Sequence, residues 1–135
     1  MSVTDNKQLI QDGFDAWAKG EGEFFKLLSD DARWTITGTS RLAGTYTSRS
    51  QFLEAIRPIG VRLSEPITPT VQSIVADGDV VVVLWQGHAV ALDGRPYDNT
   101  YSWHMRIKDG AIVDVVAFFD APTLDDLLER VSTSA

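Results

Sequence analysis

Three Asp-Gly pairs, Asp77-Gly78, Asp93-Gly94 and Asp109-Gly110, constrain this chain more than any other feature, because they separate four apolar-rich runs. Asp-Gly supplies the positive φ angles of tight hairpin turns, so the pattern predicts a meander of four antiparallel strands. The runs cover about 67–76, 80–92, 95–108 and 111–119. Strands as long as 80–92 and 95–108 accumulate twist, so a strongly curved sheet is expected.

The first half reads mainly as helices. Asp5 with Gln8 resembles a capping box, and Ile10, Phe14 and Trp17 recur at helical spacing until Gly20, which predicts a helix over about 6–19. A short helical stretch, Phe24-Phe25-Lys26-Leu27-Leu28, stops at Ser29-Asp30-Asp31. Ala32, Trp34 and Ile36 then alternate with Arg33, Thr35 and Thr37 as a half-buried strand. Gly44-Thr45-Tyr46-Thr47 reads as a short extended piece. Ser48 with Gln51 caps a third helix carrying Phe52, Leu53 and Ile56 and broken at Pro58, with 57–66 as a loop. A final helix starts near Pro122-Thr123, with Thr123 and Asp126 as its cap, and carries Leu124, Leu127, Leu128 and Val131. The expectation is one α+β domain over 1–135: a cone-shaped, curved antiparallel sheet wrapped around three N-terminal helices, with a short C-terminal helix.

Composition narrows the function. The chain has 135 residues, 44% of them apolar, enough for one core without metal or disulfide staples. It has no cysteine, which excludes thiol nucleophiles and thiolate metal sites, and its two histidines, His88 and His104, exclude a histidine-rich cluster. No metal or other cofactor is expected. The net charge of −7 argues against a general nucleic-acid binder. The opening MSVTDNK lacks a basic-then-apolar signal, and the longest apolar run, Val80 to Trp85, is far too short to span a membrane, so a cytoplasmic protein is expected. Against the acidic background, Arg33, Arg41, Arg49, Arg57 and Arg62 face Glu54 alone within 32–64. Two readings stand: a solvated face, or attraction of an anionic ligand or acidic partner.

Turn geometry predicts which side chains share a face. With a two-residue turn at Asp93-Gly94, Tyr97 opposes Val90, Asn99 opposes His88, Tyr101 opposes Gln86, Trp103 opposes Leu84 and Met105 opposes Val82. Cross-strand partners lie on one face, so these ten residues would form one large, aromatic, sparsely polar surface suited to a pocket. The other face would carry His104 and Arg106. Because Val80 to Trp85 is apolar at every position, both sides of that strand should be covered, one by helices and one by a second copy of the chain. The last strand has two registers. A tight turn at Asp109-Gly110 sets Asp120 beside Asn99 and His88; a glycine bulge instead turns Ala117 and Phe119 inward and leaves Asp120 to cap the final helix.

Three stretches carry a family resemblance: Leu27-Leu28-Ser29-Asp30-Asp31-Ala32 before the first strand, Gly44-Thr45-Tyr46 before the third helix, and Tyr101-Ser102-Trp103-His104-Met105-Arg106-Ile107 before Asp109-Gly110. Together with the element order, they make the chain resemble the ketosteroid isomerase and nuclear transport factor 2 superfamily over essentially its full length. Within it, the chain looks most like the SnoaL-like proteins. The resemblance implies the fold; the superfamily's chemistries do not carry over residue by residue. Ile36 stands where steroid isomerases place a carboxylate base, and the first helix has no tyrosine. Trp103 stands at the oxyanion aspartic acid position, and Ala117 replaces the epoxide hydrolase carboxylate. The last-strand aspartate of polyketide cyclases has no secure match.

The candidate catalytic residues are therefore His88, because imidazole is the side chain suited to moving protons at working pH, and Asp120. The alternative roles are a hydrogen-bonded core histidine and a helix cap. Trp34, Tyr46, Gln86, Asn99, Tyr101 and Trp103 are the candidate ligand-binding residues, with aromatic packing as the alternative for the rings. Two functions follow. One is an isomerase, cyclase or hydrolase acting by acid/base chemistry on a small apolar molecule bearing a carbonyl or hydroxyl. The other is a non-catalytic ligand-binding or dimerisation module. A homodimer through the outer sheet face is the expected assembly, with Arg106 meeting a carboxylate across the two-fold axis, and neither nucleic acid nor membrane is an expected partner.

Overall fold

The computed structural model describes residues 3–133. In chain order the elements are helix α1 (Val3–Ala18), a 3₁₀ turn (Phe24–Leu27), strands β1 (Leu28–Ile36) and β2 (Gly44–Tyr46), helix α2 (Arg49–Gly60), strands β3 (Leu63–Asp77), β4 (Val80–Ala91), β5 (Pro96–Lys108) and β6 (Ala111–Phe119), and helix α3 (Ala121–Arg130). The strands form one curved, unclosed sheet in the order β2-β1-β6-β5-β4-β3, with α1 packed against β3 and β4 and α2 against β1. The α+β expectation holds with one correction. The sheet is mixed, because β1 runs parallel to β6 while every other pair is antiparallel.

The helices follow local chemistry. Ile10 and Phe14 are buried along α1, and the helix closes on paired bonds from Gly20 N to Trp17 O and Glu21 N to Ala16 O. Ser48 caps α2 by accepting from Gln51 N at 3.1 Å, while the Gln51 side chain reaches back to Thr47 N rather than to Ser48. Pro58 does not break this helix as expected. The helix runs one turn further, closed by Val61 N on Arg57 O, so 57–66 is helix end and strand start rather than loop. β3 also starts earlier than expected and holds Pro66 and Pro69, which an edge strand tolerates because one side of its backbone makes no ladder bonds. The final helix is capped at Asp120, one turn before the expected Thr123.

The arginine-rich stretch resolves into local pairs. Arg33 meets Asp114, Arg49 meets Asp30, Arg57 meets Glu54 and Arg41 meets Glu129. Arg62 donates to the carbonyls of Val131 and Pro58. The arginines of the middle third are thus each engaged by an acidic residue or by carbonyl oxygens of the same chain.

Candidate functional site: an aromatic cavity and an outer polar cleft

The hairpin between β4 and β5 decides the site. It closes over three residues, Leu92-Asp93-Gly94, instead of two: Ala91 N bonds Arg95 O at 2.8 Å, Gly94 N bonds Ala91 O at 2.9 Å, and Gly94 adopts φ +83°. β4 therefore pairs one residue out from the expected register. Trp85 faces Tyr101, Val83 faces Trp103, Gly87 faces Asn99 and Ala89 faces Tyr97. A one-residue slip turns a whole strand over. The concave face accordingly carries Tyr97, Asn99, Tyr101, Trp103 and Met105 as expected, but with Val81, Val83, Trp85, Gly87 and Ala89 in place of Val82, Leu84, Gln86, His88 and Val90. The burial of alternate residues from Val81 to Ala91 carries the same signal, since Gln86 and His88 fall on the polar half of that alternation.

The last strand combines parts of both expected registers. The tight turn at Asp109-Gly110 forms, with both residues at positive φ, and Lys108 faces Ala111. An irregularity then interrupts the ladder between Ile107 and Arg106, so that Trp103 faces Ala117 and Tyr101 faces Phe119. Ala117 and Phe119 line the cavity, and Asp120 ends the strand as the N-cap residue of α3, where its carboxylate accepts from the Thr123 hydroxyl at 2.5 Å.

The concave side encloses a cavity of about 1340 Å³. Its wall includes Trp17, Phe25, Trp34, Phe52, Trp85, Tyr97, Tyr101, Trp103, Ala117 and Phe119. The rings interlock: Trp34 stacks on Phe52 with centroids 4.0 Å apart, Trp85 stacks on Tyr101 at 4.2 Å, and Trp103 meets Trp85 edge-on at 4.7 Å. Charged lining residues, Lys19, Glu21, Glu23, Glu54 and Arg57, are all exposed. Gly87 keeps the inner wall open, because a Cβ there would lie 3.0 Å from both the Trp85 and Tyr101 rings and 2.9 Å from Ile67.

Deep polar groups are few. Tyr97 and Tyr101 place their hydroxyls 3.1 Å apart, and Asn99 donates to Tyr97 at 3.1 Å. Burial pushes the Tyr97 phenol up, partly offset by its bonds to Tyr101 and Asn99. Burial pushes Tyr101 well above the ordinary phenol range, helped by the neighbouring Tyr97. Trp17 Nε1 donates to Ile67 O at 3.0 Å, whereas the buried Trp85 Nε1 has no hydrogen-bond partner among the described residues.

Sequence-based site residues divide between two places. Trp34, Tyr101 and Trp103 line the cavity. Tyr46 does not; its hydroxyl donates to Leu42 O at 2.6 Å. His88, Gln86 and Asp120 lie outside the cavity, in a separate cleft of about 440 Å³ shared with Thr70, Asp98, Asn99 and Thr100. There the His88 Nδ1 pairs with Asp98, both side chains more than half exposed. The expected catalytic pair is thus corrected in position: His88 lies in a hollow apart from the aromatic cavity because β4 is turned over, and Asp120 lies there because the β6 register leaves it to cap α3. Asn99 bridges the two places by donating to Tyr97 and bonding the backbone of Asp120. Trp85 and Tyr97 also line the cavity, although the sequence reading did not place them among the candidate ligand-binding residues. Among the described residues, no group of three His, Asp or Glu is placed to hold a metal ion.

With this geometry established, comparison with known proteins assigns the family. The sequence pattern of the SnoaL-like domain matches residues 10–115. The chain belongs to the SnoaL-like family. Solved structures agree on the nuclear transport factor 2-like fold. A protein of unknown function from Burkholderia pseudomallei superposes with a TM-score of 0.77 at 22% identity, over 96% of this chain and 100% of that one. IdmH from Streptomyces antibioticus, a candidate polyketide cyclase, gives 0.69 at 24% over 91% and 97%. AclR from Streptomyces galilaeus, a candidate hydroxylase, gives 0.75 at 16% over 99% and 91%. No curated protein matches the sequence significantly.

Proposed function

We propose that this SnoaL-like chain binds an apolar, ring-containing small molecule in its aromatic cavity. One observation carries the reading: a cavity of about 1340 Å³ walled by stacked aromatic rings, with its lining charges exposed and its deep polar groups limited to a few hydrogen-bonding side chains. The candidate cyclase and hydroxylase among the structural neighbours are in keeping with a small-molecule role. They supply no reaction for this chain. Tyr97 and Tyr101 are the titratable side chains of the deep wall, and both are held in the neutral, hydrogen-bonding form. An isomerase, cyclase or hydrolase reading with His88 and Asp120 as acid and base would move the chemistry to the outer cleft.

Tetralin, a two-ring hydrocarbon, tests the binding reading. It should quench or shift tryptophan fluorescence saturably, and Ala117→Trp, which fills the cavity, should abolish that response. Unchanged fluorescence together with no thermal shift would reject the reading.

The outer sheet face is the proposed surface for a second copy of the chain. Leu84 and Phe118 stand 38% and 46% exposed there, with Phe118 against His104. Arg106 takes part differently from the expected cross-axis pairing, since it holds Asp79 of its own chain at 3.1 Å. Sedimentation at micromolar concentration should give a dimer that Phe118→Arg converts to monomer; a wild-type monomer would remove the assembly proposal.

A further inference from the structure

We propose that the fold singles out Asp109-Gly110, among its three Asp-Gly pairs, as a site of spontaneous backbone modification, where the aspartate closes to a succinimide and reopens as isoaspartate. The Gly110 amide nitrogen attacks the Asp109 carboxyl carbon and gives up its proton, and one carboxyl oxygen leaves as water. The product is a five-membered imide. Water then adds to either imide carbonyl. Opening at the side-chain carbonyl restores aspartate; opening at the backbone carbonyl leaves the main chain running through Cβ, as isoaspartate. Nothing is oxidised or reduced, and water is the only co-reactant. Glycine in the second position leaves the attacking nitrogen unshielded by a side chain.

Backbone geometry favours Asp109. It is the first central residue of a two-residue turn closed by Lys108 facing Ala111, with φ +53° at Asp109 and +77° at Gly110. Positive φ at both centres makes this a type I′ turn, and flipping its central peptide gives type II′; hairpins use both. Ring closure eclipses Cβ with the Gly110 nitrogen about the Cα–C bond. For an L residue that means ψ of roughly −120°, which is the value at the first central residue of a type II′ turn. Asp109 therefore already holds the φ that the closed ring needs in the turn, and the ring forms while the flanking strands keep their pairing. Asp109 is exposed, and among the described residues neither its carboxylate nor the Gly110 N–H has a hydrogen-bond partner.

The other two pairs are held differently. Asp77 is itself the last ladder residue of β3, opposite Val80, so rotating its ψ redirects the strand and breaks that pairing. Asp93 is pinned from both sides: its Oδ1 accepts from Arg95 N at 3.0 Å, its Oδ2 accepts from Arg130 Nε at 2.8 Å, and the Gly94 N–H is spent on Ala91 O. The bond from Arg95 N holds the Asp93 carboxyl below the usual carboxylate range, so it stays ionised, and a carboxylate is a poorer electrophile than the acid. Modification at Asp109 also has the most direct bearing on the cavity. The added methylene lengthens the turn that sets β6 against β5, and β6 carries Ala117 and Phe119 into the wall.

The test ages the whole chain for several weeks in mildly acidic buffer, folded and, in parallel, unfolded in guanidinium chloride. Peptide mapping with electron-transfer fragmentation, which cleaves the Cα–Cβ bond of isoaspartate, then reads each Asp-Gly pair. In the folded chain isoaspartate at Asp109 should exceed that at Asp77 about fivefold, the weight of one backbone hydrogen bond, and exceed that at Asp93 by more. In denaturant the three pairs should accumulate it at similar rates, because only local sequence then acts. Asp109→Glu, which could close only a strained-to-form six-membered ring, should remove the product at that position. No isoaspartate at Asp109, equal amounts at all three pairs of the folded chain, or an excess at Asp77 or Asp93 would overturn the proposal. So would an Asp109 excess of the same size in denaturant, since the fold would then have no part in the selection. The wild-type comparison decides the matter without any variant.

Discussion

The two faces of the β4–β5 hairpin differ more than any other two regions of this molecule. On the concave side, Val81, Val83, Trp85, Ala89, Tyr97, Tyr101, Trp103 and Met105 are buried. On the convex side, Gln86, His88, Asp98, Thr100, His104 and Arg106 are exposed, with Leu84 among them and Val82 half-buried. The same backbone ladder supports both, and only the parity of the residue number separates an aromatic cavity from a polar outer cleft. Groups that are chemically promising in sequence, an imidazole beside a carboxylate, can therefore sit a single pleat away from the cavity they were expected to serve.

Substitutions on the two faces should break or sharpen this contrast. The largest effect is expected from Trp103→Ala, since Trp103 contacts Trp17, Phe24, Trp34 and Trp85 in the inner wall. Removing it should cost about 3–5 kcal/mol in urea unfolding. A cost under about 1 kcal/mol would mean the inner face is not packed as described.

An intermediate effect should come from alkaline pH. Tyr97 and Tyr101 stay protonated in the folded protein above the ordinary phenol value, chiefly because they are buried. The unfolded chain gives up these protons first, so their contribution is intact below about pH 10 and is lost as pH rises through the folded-state values. Absorbance at the tyrosinate band should show Tyr97 and Tyr101 titrating late, together with the loss of stability. Titration of Tyr97 and Tyr101 at the ordinary phenol value would contradict their burial.

The smallest effect belongs to the outer face. His88→Ala removes an exposed pairing with Asp98 and should change stability by no more than about 0.5 kcal/mol. It should also leave tetralin binding unchanged. A lost or strongly weakened ligand response would place His88 functionally inside the cavity and erase the distinction between the faces.

Much of the fold was legible because its signals are local. Ile10 and Phe14 at helical spacing, Ser48 with Gln51, and the Asp-Gly turns each specify backbone conformation through their immediate neighbours. The exceptions are instructive. Pro58 lies in the last turn of α2, and Pro66 and Pro69 sit in a strand. Proline's local preference yielded in each case to a context, a helix end or a sheet edge, that the pattern alone did not display. The site was half legible. Tyr101, Trp103 and Trp34 line the cavity, whereas the β4 register turns His88 and Gln86 outward, the β6 register leaves Asp120 at its helix-cap alternative, and Tyr46 is engaged with Leu42.

The sequence by itself determined an α+β chain with a curved sheet, an aromatic inner strand in β5, and the absence of thiol chemistry, because propensity, turn residues and composition act within a few residues. Tertiary structure alone decided the parallel contact of β1 with β6, the three-residue closure around Gly94, and the irregularity between Arg106 and Ile107. Each of these is a choice between pairings that are nearly alike locally. They are separated only by which side chains the whole sheet can bury, and in a structure with a two-residue period, that choice settles which residues line the cavity.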